Sequence, residues 1–458
     1  MKKNKFSCLN KLEFYLNSIK KNLHLNAFIN IYSKDAIFKS KKIDKKIKKK
    51  KLSGIIVGLK DLICYKNYPI QASSKILKGF ISKFNATLVN RIIQEDGIII
   101  GHQNCDEFGM GSSNENSFFG PVLNPIDNNK VSGGSSGGSA VSVQKKMCCI
   151  SIGSDTGGSI RQPASFCGVI GMKPTYSRIS RYGLIAYASS FDTIGIISKN
   201  ISECAKILEV VSGNDSLDNT SSFVKVDNYT EYINFTNKKY KIAYIKQAIN
   251  HKHLNKDIKQ KTLLKIDFLK NNGYQVDEID YNLLNYMLPV YHILSSAEAS
   301  SNLSRFDGIR YGYKNNSDAL TSVYYKSRIN GFNREVKRRI LLGTFVLSSK
   351  YYNSYYLKAQ KIRHLIKKTT RFIFNKYDFI ISPTTPTTAF NIGENIKNPI
   401  AMYLSDLYTV QASLSGIPAI SIPNGFDKKG MPVGLQIMSD VFEEKKLLSF
   451  ANYLLKNN

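Results

Sequence analysis

The stretch VSGGSSGGSAVSVQKKMCCISIGSDTGGSI, residues 131–160, carries two glycine-serine loops, GGSSGGSA (133–140) and GSDTGGSI (153–160), on either side of one apolar segment. Between the loops, AVSVQKKMCCISIGS (140–154) reads as a helix followed by a buried strand, so the loops are held by packed structure at both ends. Gly/Ser clusters are commonly flexible tethers; this spacing leaves no room for one. Neither loop has the Lys-Ser/Thr pair of a P-loop, and no GxGxxG follows a strand into a helix, so a phosphate cradle is excluded.

What the two loops offer is acyl-transfer chemistry. Ser135 and Ser159 supply hydroxyls, and a serine becomes a nucleophile only when a base accepts its proton and donors await the oxyanion that forms. Gly157 and Gly158, without Cβ atoms, let successive N–H groups turn into one concavity, so Thr156, Gly157, Gly158 and Ser159 are the expected oxyanion cradle. None of the six histidines neighbours either loop. The base is instead sought at Lys60, which ends the apolar run GIIVGLK, a short buried strand carrying a lysine at its edge. Bringing a lysine from its ordinary pKa to near neutrality costs about 4.6 kcal/mol of disfavoured charge, which burial and nearby donors supply. Taken alone, Lys60 is one of 65 Lys and Arg residues, most of them on a surface.

These residues carry a resemblance. NCDEFGMGSSNENSFFGPVLNP, VSGGSSGGSA and GSDTGGSIRQPASFCGVIGMKPTYSRISRYGLIAYASSFDTIG resemble the signature region of the amidase signature family, over about residues 60–198. The likeness continues through SSAEASSNLSRFDGIRYG, GFNREVKRRILLGTFVLSSKYYNSYYLKAQKIR, DFIISPTTPT and GIPAISIPNGFDKKGMPVGLQIM. Within the family, these segments are most similar to the glutaminase subunits of tRNA-dependent amidotransferases. The resemblance implies a Ser-cisSer-Lys triad with Ser159 as nucleophile, Ser135 as the bridging serine and Lys60 as the base. It implies hydrolysis of glutamine through a glutamyl ester, with the ammonia passed on for converting Glu-tRNA(Gln) to Gln-tRNA(Gln). Partner subunits B and C would complete a heterotrimer in which tRNA is held mainly by the former. ATP and magnesium would serve the whole complex, with no site for either in this chain.

A glutaminase must also read the α-carboxylate and α-ammonium of its substrate, and an arginine fork and an aspartate suit those groups. The resemblance places Arg339, Asp406 and Tyr291 in that role. On the residues alone, Arg339 beside Lys337 and Arg338 fits a solvated helix face and Asp406 a helix cap. The chain departs from the family pattern at YKNYPIQASSK after the lysine, at His102 and Gln103, and at Thr193 and Ile197. None of these touches the triad.

The resemblance implies the amidase signature fold. The residues give an α/β class with a mixed central sheet covered by helices on both faces, in a single large domain over 1–458. Its glycine-serine core spans about 53–200, and a basic helical segment, about 1–52, packs on it. GIIVGL, EDGIIIG, YKIAYI, YDFIISP and IPAISIP read as strands, and EVKRRILLGTFVLS and SYYLKAQKIRHLIKKTTRFIF as helices. The lysine-dense run 41–51, with Ile43 and Ile47 four apart, reads as a surface helix. A net charge of +31 suits long-range attraction to a polyanion. Lysine is abundant throughout, and no RNA-binding module is present. Seven cysteines, with Cys148 and Cys149 adjacent in an apolar strand, read as reduced buried thiols, and no CxxC pair suggests zinc. MKKNKFSCLNKLEFYLNSIKKN has no apolar h-region and no run of 18 apolar residues occurs, so a soluble cytoplasmic protein without membrane contact is expected. Two competing classes are a stand-alone amidase with the same triad and a non-catalytic basic binding protein that keeps the fold.

Overall fold

In the computed structural model, which describes residues 7–234, 239–396 and 398–457, the chain forms an 11-stranded mixed sheet. The first six residues of the basic N-terminal stretch lie outside the described residues. In chain order the strands are β1 (Phe28–Ile31), β2 (Ile56–Lys60), β3 (Ile98–Gln103), β4 (Ile150–Asp155), β5 (Ile170–Lys173), β6 (Thr193–Ser198), β7 (Lys241–Ile245), β8 (Gln275–Ile279), β9 (Phe379–Pro383), β10 (Ala419–Phe426) and β11 (Pro432–Met438). They lie side by side as β1-β3-β2-β4-β6-β5-β10-β11-β9-β7-β8. β2 runs parallel to both β3 and β4, β7 parallel to β8 and β9, and the remaining pairs are antiparallel.

Alternate residues of the apolar runs feed opposite faces of the sheet, as strand geometry requires. In β9, Phe379 and Ile381 enter one buried cluster while Ile380 enters another. Ile242 and Tyr244 against Ala243 and Ile245 do the same in β7. Helices including Thr87–Gln94, Ile201–Val211 and Glu444–Lys456 contribute to the first cluster. Leu284–Asn302, Arg334–Leu347 and Lys358–Phe374 contribute to the second. Both faces are therefore covered, and every strand read from the sequence is present.

Four local readings change. The N-terminal segment supplies not only the helices Cys8–Lys21 and Ser33–Asp44 but also β1, an edge strand hydrogen-bonded antiparallel to β3. The lysine run is not one helix: the helix ends at Asp44, whose carboxylate accepts from the backbone N–H of Cys8 (2.7 Å) and Leu9 (3.1 Å). Ile43 is buried, Ile47 fully exposed, and the lysines at 48–51 lie outside any helix, in irregular backbone that ends in a turn. The expected helix from Ser354 opens with a π-helical turn, Tyr352–Leu357, and becomes α-helical at Lys358. Cys148 and Cys149 immediately precede β4 rather than lying within it, and all seven cysteines are free and buried.

Candidate active site

The carboxyl ends of parallel β2, β3 and β4 meet at one edge of the sheet, where an α/β protein gathers side chains from loops. Lys60 ends β2, and Asp155 ends β4 just before the TGGS loop. The helix Gly137–Gln144 starts immediately after Ser135 and Ser136. The Gly134–Ser135 peptide is cis.

Lys60 is wholly buried, and its ammonium nitrogen lies 2.6 Å from Ser135 Oγ, 2.9 Å from Ser136 Oγ and 3.0 Å from Ser154 Oγ. Burial pushes its pKa down, against the pull of Cys105, Asp106, Asp155 and Asp192. Three neutral hydroxyls surround the nitrogen, and no carboxylate pairs with it among the described residues. A carboxylate in contact would hold the proton on lysine; hydroxyls let it leave.

Ser159 stands across the loop, its carbonyl accepting from Ser136 N–H at 3.2 Å. The carbonyl of Gly157 accepts from Thr409 Oγ1 (2.6 Å) and that of Gly158 from Gln162 N–H (2.8 Å). With both carbonyls tied back, the N–H groups of Gly157, Gly158 and Ser159 have no acceptor among the described residues, and neither does the Ser159 hydroxyl. Unsatisfied backbone donors in a buried loop call for a ligand. Gly158 has φ +147°, a conformation that glycine tolerates, and a Cβ there would meet Thr409 Oγ1 at 2.2 Å. Thr156 donates its hydroxyl to Asp192 (2.7 Å).

The three residues assigned to substrate also converge on this loop. Tyr291 is buried so close to Gly157 that a Cβ on that glycine would lie 2.4 Å from its Cζ. Arg339 is buried, not on a solvated face: its Nε donates to Glu335 (2.9 Å) and its Nη1 to Tyr187 Oη (2.5 Å). Tyr187, Glu335, Tyr403 and Tyr291 hold its pKa above the ordinary value in spite of burial. Asp406 caps no helix with its side chain; its Oδ2 accepts from Ser112 Oγ at 2.7 Å. Burial raises its pKa to about 7, against the lowering pull of Ser112 and Arg339. Both Arg339 and Asp406 act electrostatically on Tyr291.

Several residues here escaped the sequence reading. Ser136 and Ser154 share Lys60 with Ser135, and each stands in a quoted loop, so a search for further hydroxyls in those loops finds them. Asp155 forms a fully buried ion pair with Arg161 at 2.7 Å, and Arg161 also donates to Thr409 and Gln436, pinning the TGGS loop to β11. Asp106 accepts from the N–H groups of Asn114 and Asn116, and Gln162 accepts from Gly134 N–H. Together they shape the first serine loop. Among the departures, His102 is fully buried between Tyr32 Oη and the carbonyl of Ile63, and burial lowers its pKa to about 4. Gln103 binds Ser139, Ser142 and Ser151 behind the loop.

Residues 11–448 match the Amidase family. The glutamyl-tRNA(Gln) amidotransferase A subunit of Prochlorococcus marinus (strain NATL2A) is 47% identical over 437 residues, covering 94% of this chain and 90% of that protein. Its counterpart of the same name in Chlorobaculum parvum is 44% identical, covering 98% of this chain and 94% of that protein. The crystal structure of the glutamyl-tRNA(Gln) amidotransferase A subunit from Thermotoga maritima superposes with a TM-score of 0.82 at 36% identity, covering 99% of this chain and 95% of that chain. The serine loops, the lysine behind them and this similarity along almost the whole sequence place the chain in the amidase signature family.

Proposed function

We propose that this chain is the glutamine-hydrolysing subunit of a tRNA-dependent amidotransferase, with Ser159 as nucleophile. The observation that carries the reading is the buried Lys60 nitrogen held by three serine hydroxyls, beside a loop in which the N–H groups of Gly157, Gly158 and Ser159 have no acceptor among the described residues. Neutral Lys60 takes a proton from Ser135 as Ser135 takes one from Ser159, and Ser159 Oγ attacks the side-chain carbonyl of glutamine. The N–H groups of the Gly157–Ser159 turn receive the oxyanion, with Thr156 fixed behind them by Asp192. The proton returns along the same path to the leaving ammonia, and water then hydrolyses the glutamyl ester to glutamate. Arg339 binds the α-carboxylate, Asp406 the α-ammonium, and Tyr291 forms the wall between them and the loop.

Subunits B and C are the proposed partners, the former holding most of the tRNA, in the cytoplasm. ATP and magnesium belong to the activation of glutamyl-tRNA elsewhere in the complex. Among the described residues no group of three His, Cys, Asp or Glu side chains stands ready to hold a metal ion, and no helix is long and apolar enough to cross a membrane.

The test is ammonia release from glutamine by wild type and Ser159→Ala, each alone and with subunits B and C, ATP and Glu-tRNA(Gln). Release that needs Ser159 and rises in the complete mixture supports the proposal. Ser159-dependent release indifferent to partners makes the chain a stand-alone amidase, and release independent of Ser159 refutes the triad.

A further inference from the structure

Segment 187–192 has two neighbourhoods. At one end, Asp192 accepts from Thr156, and the Phe191 ring meets Tyr291 edge-on at 5.8 Å. At Ser190 the same segment borders a separate cavity of about 540 Å³, a size typical of small-molecule sites. One wall is cationic. Arg363, Lys367 and Arg371 follow one another at four-residue intervals along the helix Lys358–Phe374, so they share a face, and all three line the cavity with His364.

Among the described residues, none of these three cations forms an ion pair within 4 Å. The acid acting on Arg363 is Glu298, which is engaged by the N–H and hydroxyl of Ser190. Arg363 is held in place by donating to Ser190 Oγ and O, both at 2.8 Å, with its guanidinium 3.9 Å above the Phe191 ring. Lys367 and Arg371 have no such fixed partner among the described residues. Burial lowers the Lys367 pKa, and the neighbouring Arg371 and Arg363 lower it further, so three like charges press on one another. The three cations thus stand side by side with no carboxylate within 4 Å of any of them among the described residues.

A second observation points the same way. Ser415 is 2% exposed, lines the cavity, and its hydroxyl has no hydrogen-bond partner among the described residues. A buried hydroxyl left unpaired is uncommon and marks a place where a polar ligand fits. Tyr176, Leu414, Val441 and Phe442 add apolar surface to the lining, and the carbonyl of Leu414 accepts from Arg363 Nε at 3.4 Å.

We propose that this cavity binds a phosphate-class anion, with Arg363, Lys367 and Arg371 taking the oxygens, Ser415 donating to one of them, and Tyr176 and Phe442 available to an attached organic group. Arginine forks suit phosphate geometry.

The test is titration calorimetry on the full-length chain with inorganic phosphate and, separately, AMP. It needs no glutamine turnover, so its result is independent of the hydrolysis assay. Expected is saturable binding with one site per chain. The Lys367→Ala/Arg371→Ala variant should lose about tenfold or more in affinity, because both side chains are exposed and their removal leaves the core intact. Lys42→Ala/Lys48→Ala removes the same charge from an exposed stretch and should bind as wild type does. Tighter AMP than phosphate assigns the apolar surface to an organic group; equal affinities leave free phosphate as the ligand. Equal binding by the two double variants, no saturable binding, or binding of tRNA without binding of phosphate overturns the proposal.

Discussion

The charge on Asp406 gives the most direct quantitative test of the substrate pocket. Its carboxyl is buried, accepts from Ser112, and has a pKa raised to about 7. Burial and Asp155 push that value up, whereas Arg339 and Arg161 pull it down. Only the ionised form offers a counter-charge to the substrate ammonium, so the sign is fixed: glutamine binding strengthens as pH rises towards and through about 7. Roughly one carboxyl in ten is ionised at about pH 6 and half at about pH 7, so kcat/KM should rise about fivefold across that interval from this group alone. Lys60 contributes in the same direction, because the relay needs it neutral. The two are separated by Asp406→Asn, which should raise KM by about 30-fold or more, the cost of leaving a charged partner unpaired in a buried site, and should remove the Asp406 inflection while keeping that of Lys60. The assay is initial-rate ammonia release at several glutamine concentrations, with KM and kcat extracted at each pH. An Asn variant with unchanged KM, or one whose pH profile coincides with that of wild type, would refute the assignment of Asp406 to the ammonium.

Three further expectations concern the frame around the loops. Gly157→Ala should lower stability by about 1–3 kcal/mol, because its Cβ would sit 2.4 Å from Tyr291 Cζ; an unchanged urea midpoint contradicts it. Asp155→Asn should cost about 3–5 kcal/mol, since it strands a fully buried Arg161, and a thermal melt equal to that of wild type rules this out. Lys173 is fully buried, donates to the carbonyls of Pro174 and Ile417, and has a pKa lowered by burial to about 7. The unfolded chain binds more protons between that value and the ordinary lysine pKa of about 10.4, so Lys173 makes the fold more stable as pH rises through this window. Lys173→Met should flatten that rise in denaturant titrations, and an unaltered slope discounts the lysine.

The elements most legible in the sequence were those fixed by short-range pattern. Apolar runs such as GIIVGLK and YDFIISP could bury themselves only as strands, and Lys60 follows from the end of one of them. The glycine-serine loops announced themselves because glycines at close approaches leave few alternatives. Arg339 was ambiguous for a physical reason: a helix with Lys337, Arg338 and Arg339 in a row does not reveal which one turns inward. That choice rests on Glu335 and Tyr187, the latter more than 100 positions away in sequence. The Asp155–Arg161 pair was hidden in plain view, one partner inside the second loop and the other just after it, since its significance depends on Thr409 and Gln436. The helix expected over the lysine run failed because Asp44 spends its carboxylate on the start of the first helix, a contact no periodicity encodes.

Lys60, Ser135 and Ser159 fall within one contiguous hundred-residue span, whereas Tyr291, Arg339 and Asp406 come from helices and turns of the later half, pressed onto it through Gly157 and Thr409. Under the proposed assignment, bond-breaking and substrate choice are written in separate parts of the gene. Drift in the later part can retune which amide enters, or how it is held, while the earlier part stays constant. Recombination or directed evolution confined to residues 287–406 would therefore explore new amides on an unaltered reaction centre, with Gly157 setting the closest approach that any new wall can make.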